Sequence, residues 1–124
     1  GRVISEQGDL FDPLSRMVDV QPFHLVVSNP PYIPTGQVET LDRSVREYEP
    51  IAALDGGLDG LALHRRILSE ASAGLLPAGR IYLEIAFDQG ELAEQVAREY
   101  DAFDDVRILK DYGGRDRVLT ARRR

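Results

Sequence analysis

The chain has 124 residues, a formal charge of −6 and no cysteine. That length suits one compact core in a single domain, and the missing cysteine excludes disulfides, thiolate metal sites and a cysteine nucleophile. The acidic balance argues against a phosphate-rich partner, and with no apolar run of membrane-spanning length and no visible signal peptide a cytoplasmic setting is expected.

Taken in chain order, Val3 to Ser5 predicts a short strand, followed by a turn at Gly8-Asp9-Leu10-Phe11. Phe23 to Ser28, with its apolar run Leu25-Val26-Val27, predicts a buried strand. From Thr35 to Glu47, with Tyr48 just beyond, apolar residues recur at helical spacing (Val38, Leu41, Val45), which fits a short helix or a lid. Asp59 to Leu76 predicts the longest helix, with Leu61, Leu63, Ile67, Leu68, Ala71 and Leu75 on one side and Pro77 and Gly79 ending it. Arg80 to Ala86 predicts a second buried strand. Asp88 to Tyr100 predicts a helix capped by Asp88, with Leu92, Val96 and Tyr100 a turn apart. Val106 to Lys110 and Arg117 to Ala121 predict an antiparallel hairpin joined through Asp111 to Asp116, before the basic tip Arg122-Arg123-Arg124, which reads as a solvated tail. Strands alternating with helices predict an α/β fold whose sheet is covered on both faces.

The most informative stretch is Asn29-Pro30-Pro31-Tyr32, placed directly after the Leu25 strand. In parallel sheets ligands collect beyond the carboxyl ends of the strands. Two successive prolines donate nothing to a ladder, so the carbonyls of Asn29 and Pro30 are free to accept hydrogen bonds. The Asn29 side chain adds another acceptor, and Tyr32 offers a flat apolar face with a polar tip. Such a cluster suits a planar NH2 group, because both N–H bonds are held in plane while the nitrogen lone pair points out of plane toward an electrophile. An amide nitrogen is a poor nucleophile, so positioning and electrostatics must carry the catalysis. The plainer reading of Pro-Pro is a rigid turn that ends a strand.

The chain resembles the release-factor glutamine methyltransferases, class I enzymes that use S-adenosylmethionine. The resemblance rests on Asn29-Pro30-Pro31-Tyr32-Ile33-Pro34 and on the later run Tyr48-Glu49-Pro50, Ala53-Leu54-Asp55-Gly56-Gly57 and Asp59-Gly60-Leu61. Gly8-Asp9-Leu10-Phe11, Leu83-Glu84-Ile85 with Gln89, Asp111-Tyr112-Gly113 and Asp116-Arg117-Val118 follow in the same order. Asn-Pro-Pro-Tyr is shared with adenine-amino methyltransferases and specifies an NH2 acceptor; the Tyr48 to Leu61 run is more particular to the glutamine enzymes.

The resemblance implies a Rossmann-like class I methyltransferase domain with a mostly parallel sheet and an antiparallel terminal hairpin, strand order 3-2-1-4-5-7-6, of which residues 1–124 supply strands three to seven. The family's glycine-rich cofactor loop, the acidic residue that binds the ribose and the N-terminal helical domain are not in this sequence, so the chain reads as the C-terminal portion of a longer catalytic domain. It also implies methylation of a glutamine amide in a peptide chain release factor, at the Gly-Gly-Gln tip. In that reaction Asn29, Pro30, Pro31 and Tyr32 are the catalytic set, Asn29, Pro30, Tyr32 and Glu49 meet the substrate, and Asp9, Leu10 and Asn29 lie on the cofactor side. The missing strands leave an edge on the Leu25 strand through which the isolated chain would self-associate. Two readings stay open beside this one: an adenine-amino methyltransferase, and a fragment that is non-catalytic or an interaction module as isolated.

Several residues carry two readings. Asp9 is equally a turn former and a neighbour of the cofactor's adenine, with Leu10 against the ring. Glu49 either orders the loop over the acceptor or is an exposed loop carboxylate. Asp55 with Gly56-Gly57 reads first as a tight turn. Glu84, in a strand that reads as buried, needs a partner for its charge. His64 falls on the apolar stripe of the long helix and reads as a packed core histidine, His24 reads as no ligand, and no spacing predicts a metal site.

Overall fold

The computed structural model describes residues 3–16, 22–38 and 50–124. A 3-10 helix, Asp12–Arg16, precedes strand β1 (Phe23–Ser28), the short helices α1 (Thr35–Val38) and α2 (Ile51–Leu54), and the long helix α3 (Ala62–Gly74). Strand β2 (Leu75–Glu84), helix α4 (Gly90–Arg98) and the hairpin strands β3 (Phe103–Lys110) and β4 (Asp116–Arg123) complete the order. No helix among the described residues is long and apolar enough to cross a membrane.

The four strands form one mixed α/β sheet in the order β1-β2-β4-β3. β1 runs parallel to β2, and β4 runs antiparallel to both β2 and β3. This reproduces the expected 4-5-7-6 half of the sheet and the antiparallel hairpin. It also sends β1, β2 and β3 in one direction, so the segments after Ser28, Glu84 and Lys110 emerge at the same end.

The core explains why these segments fold as they do. Ile81 and Leu83 of β2, with Ile85 just beyond its end, alternate onto one face and join Leu119 and Ala121 of β4, Ile67, Leu68 and Ala71 of α3, and Ala93, Val96 and Ala97 of α4 in one buried cluster. Each fully buried Leu or Ile contributes roughly 1.5–3 kcal/mol relative to leaving it in water. Both long helices therefore lie on the same side. The opposite face carries Arg80, Tyr82 and Glu84, with Leu25 and Val27 of β1 exposed at 54% and 68%. The expectation of a sheet covered on both faces is thus corrected: among the described residues only one face is covered.

Other expectations shift locally. Val3 and Ile4 are exposed and pair with no described strand, so the predicted strand over Val3 to Ser5 does not form; isolated extended backbone has no ladder to join. The turn at Gly8 to Phe11 forms, with Leu10 at φ 51. The long helix ends at Gly74, not Leu76, because Leu75 already pairs with Phe23 in the sheet. Pro77 then sits in an irregular stretch of β2, where the register jumps from Phe23↔Leu75 to Leu25↔Arg80 and Ala78 takes φ 69. Leu63 is half-buried and His64 takes the inward position. Asp88 does not cap α4; Gln89 is the N-cap residue, and its carbonyl accepts from the Ala93 amide at 2.8 Å. Gly90 leaves room for the Asp116 carboxylate beside that helix start, where the helix dipole favours negative charge. Leu92 is exposed, whereas Val96 is buried and Tyr100 packs against the core. Most of the predicted helix over Thr35 to Glu47, and Tyr48, lie outside the described residues.

Two carboxylates make this fold sensitive to acid. Asp59 accepts two hydrogen bonds from Arg65, at 2.9 and 2.6 Å, which hold its pKa down at about 2. Asp105, in a bulge of β3 at φ 46, accepts from Arg107 and Arg80 and is likewise lowered to about 2. A depressed carboxylate pKa contributes stability above its unfolded value, 3.8, and that contribution is lost as pH falls through about 2. The urea midpoint should therefore fall between pH 4 and pH 2, and Asp59→Asn should flatten part of that slope. An unchanged slope in both Asp59→Asn and Asp105→Asn would show that neither pair is coupled to folding.

Candidate functional site

Asn29 leaves the carboxyl end of β1 and is exposed; Pro30 behind it is buried, and Pro31 and Tyr32 are half-buried. Neither the Asn29 nor the Pro30 carbonyl accepts a hydrogen bond among the described residues, and the Asn29 amide is uncommitted there as well. The expected acceptor cluster is therefore present as a set of unused oxygens. Residues 29–33, with Ala53 and Leu54 of α2, line a cavity of about 200 Å³. Asn29 also lines a second hollow of about 410 Å³ on the open side of the sheet, with Val27, Tyr82, Glu84 and Arg117 among its walls. One side chain thus stands between two concavities.

The loop is held from outside by the segment after α2. The Ile33 amide donates to the Leu54 carbonyl at 3.2 Å, and the Gly56 amide donates back to the Ile33 carbonyl at 2.7 Å, which makes a short parallel bridge between Ile33 and Asp55. The Thr35 amide donates to the Gly57 carbonyl at 2.8 Å, and the Thr35 hydroxyl donates to Asp55 Oδ1 at 2.7 Å. The same oxygen accepts from the Gly57 amide at 3.0 Å. Those two bonds, the Gly57 one first, hold the Asp55 carboxyl below the usual carboxylate range. Asp55 is the tight turn expected, and it also ties that turn to Thr35.

Two glycines make this approach possible. A Cβ on Gly56 would lie 2.7 Å from the Tyr32 Cα and 2.8 Å from the Pro31 carbonyl oxygen. At Gly60, where φ is +83, it would collide with the Tyr32 carbonyl oxygen and the Gln89 side chain. The two backbones cross at a separation that only hydrogen in place of Cβ allows.

The other sequence candidates fall in different places. Asp9 pairs with Arg66 at 2.7 Å, its carbonyl accepts from the Asp12 amide in the turn, and Leu10 packs against the core. Neither residue lines the two hollows at Asn29. Glu49 lies outside the described residues. Glu84 finds a partner in Arg117 at 3.7 Å, while its carbonyl accepts from His64 Nε2 at 2.7 Å. That bond fixes a proton on Nε2, and burial pushes the His64 pKa down, so this is the packed core histidine expected. Among the described residues no group of three His, Cys, Asp or Glu is placed to hold a metal ion. Gln89, quoted above only as part of a run, makes side-chain hydrogen bonds to two of these segments; no local pattern assigns it a role from sequence.

No protein-family model matches the chain. It is similar to three bacterial proteins named release factor glutamine methyltransferase. It is 48% identical to that of Agrobacterium fabrum over 101 residues, 82% of this chain and 35% of the relative. It is 43% identical to that of Thermosynechococcus vestitus over 97% of this chain and 40% of the relative. The protein of Moorella thermoacetica is also 43% identical, over 99% of this chain and 42% of its own length. The chain thus spans about two fifths of the length of the relatives it matches. Among solved structures, a methyltransferase from Pyrococcus furiosus superposes with a TM-score of 0.52 over 83% of this chain and 42% of its own, at 15% identity, a likeness of fold.

Proposed function

We propose that this chain, which belongs to the release factor glutamine methyltransferase family, forms the acceptor side of an enzyme that methylates a glutamine side-chain amide in a protein. The observation that carries the reading is the Asn29 to Tyr32 loop, with its uncommitted oxygens at the edge of a cavity of about 200 Å³. The Asn29 side-chain oxygen and the Pro30 carbonyl accept the two amide N–H bonds, and Tyr32 packs on the amide plane. Held this way, the nitrogen cannot rotate, and its lone pair is directed across Asn29.

S-adenosylmethionine, when bound, supplies an electrophilic methyl group on a sulfonium. The donor set at Asn29 fits it: an exposed, uncommitted amide that borders a second hollow of about 410 Å³. Asp9, also assigned to the cofactor side from sequence, is engaged by Arg66, and Leu10 by the core; the assignment of both remains part of this proposal. Glu49 is retained as a substrate contact on resemblance alone. The protein acceptor is a peptide chain release factor, at its Gly-Gly-Gln tip, and the acidic surface disfavours adenine in nucleic acid as the competing NH2 substrate.

The test is transfer of radiolabelled methyl from S-adenosylmethionine by the full-length protein. Label should enter the release factor, be lost when the tip glutamine is changed, and not enter an adenine-containing oligonucleotide. Label in the oligonucleotide alone would replace the glutamine reading with the adenine one. Within the reading, Tyr32→Phe should keep most of the rate and Tyr32→Ala should not, since the ring's shape survives only in the first. Equal, severe losses would assign the work to the hydroxyl.

A further inference from the structure

We infer that Gln89 is a positioning residue that sets where the Asn29 to Tyr32 loop sits. Gln89 is 5% exposed, at the junction where β2 passes into α4. Its Nε2 donates to the Tyr32 carbonyl at 2.8 Å and, at 3.4 Å, to the Asp59 carbonyl. Its Oε1 accepts from the Ala86 amide at 2.9 Å. Three segments remote in sequence therefore meet on one amide: the acceptor loop, the turn that crosses it, and the start of α4.

The chemistry of that junction selects glutamine. It needs two donors and one acceptor on a single planar group, which aspartate, glutamate, serine and threonine side chains do not supply together. Asparagine has the group and is one methylene too short to span from the α4 start to Tyr32. Gly60 completes the arrangement, because a Cβ there would occupy the space of Nε2. The base of the peg is rigid: the Gln89 main-chain amide donates to the Ala86 carbonyl at 3.0 Å, and its carbonyl caps α4 through Ala93. The Tyr32 carbonyl lies two residues from the Pro30 carbonyl, so a shift at Tyr32 is transmitted through Pro31, whose φ is fixed. Gln89 touches no reacting atom in this account and acts through the loop it holds.

The kinetic consequence rests on the proposed methyl transfer; the loop-holding does not, and the experiment separates them. In the full-length protein, Gln89→Met keeps the bulk and removes all three side-chain hydrogen bonds. Hydrogen exchange at the Ile33 and Gly56 amides should rise at least about tenfold while exchange at Ala93, within α4, is unchanged. Turnover on the release factor should fall by about a hundredfold, the scale of a small misplacement of reacting groups, with S-adenosylmethionine affinity within about threefold of the parent. Gln89→Glu supplies the readout that simple loss of packing would not give. As a carboxylate it faces two carbonyls without a donor; protonated, it regains one O–H for Tyr32. The charged groups around it are Asp59, whose carbonyl it contacts, with its partner Arg65, Asp88 next in the chain, and Asp116 of β4 beside Gly90. Its activity relative to the parent should therefore rise as pH is lowered. Unchanged exchange at Ile33 and Gly56, faster exchange spread equally to Ala93, or faster loop exchange with undiminished turnover would each overturn the assignment. A parent protein that methylates no glutamine would defeat the function proposed above and leave the exchange result to decide the role of Gln89.

Discussion

Asn29→Ala in the full-length protein is expected to lower turnover on the release factor by about a hundredfold, the typical loss when one positioned hydrogen bond to the reacting group is removed. S-adenosylmethionine affinity should change much less, because the substitution removes orientation of the acceptor nitrogen and leaves the Pro30 carbonyl and the loop's anchors in place. Asn29 is exposed and makes no described hydrogen bond to the rest of the fold, so its loss should leave the thermal midpoint close to the parent value. That separation of stability from rate makes the experiment sharp. Turnover within twofold of the parent, with normal folding, would remove Asn29 from the acceptor clamp.

Gly60→Ala is expected to damage stability and turnover together. A left-handed backbone costs an L-residue about 1–2 kcal/mol on its own, and at Gly60 the added methyl also collides with the Tyr32 carbonyl and the Gln89 side chain. Gly114→Ala is the internal control: φ is +80 there, and a Cβ would meet nothing within 4 Å. The control should lose the backbone contribution alone, read as a modest drop in the urea midpoint with normal turnover. Gly60→Ala should fall well below it on both measures. Equal midpoints for the two variants would mean that the crossing of the two backbones is not tight in solution.

Much of this arrangement was legible in the residues, and the parts that were not share a cause. The run Phe23 to Ser28 announces itself as a strand through Leu25-Val26-Val27, although the burial expected of it is not found, since none of its residues is buried among the described residues. The hairpin around Asp111 to Asp116 follows from turn chemistry, and the strand order follows the resemblance. The end of α3 departs from the apolar period because Leu75 continues the helical stripe while belonging to the sheet; tertiary pairing with Phe23 overrides the period. Asp88 has the better capping side chain, yet Gln89 takes the cap position because its amide is fixed by Tyr32 and Ala86. The link from Asp9 to Arg66, and that from Gln89 to Tyr32, each span 57 residues, and no local window contains both partners. The loop chemistry at Asn29 could be read from four consecutive residues. The segments that hold it could not.

Anyone wishing to move this acceptor loop onto another sheet would have to transplant more than Asn29-Pro30-Pro31-Tyr32. The stretch Leu54 to Gly60 would have to travel with it, at a crossing distance that tolerates no Cβ, together with a glutamine at the head of the helix that connects β2 to β3. A recipient carrying the four-residue motif alone would present the same oxygens on an untethered turn. The portable unit is three short segments and their spacing, and a chimera built on that unit, not on the motif, is the one expected to hold an amide still.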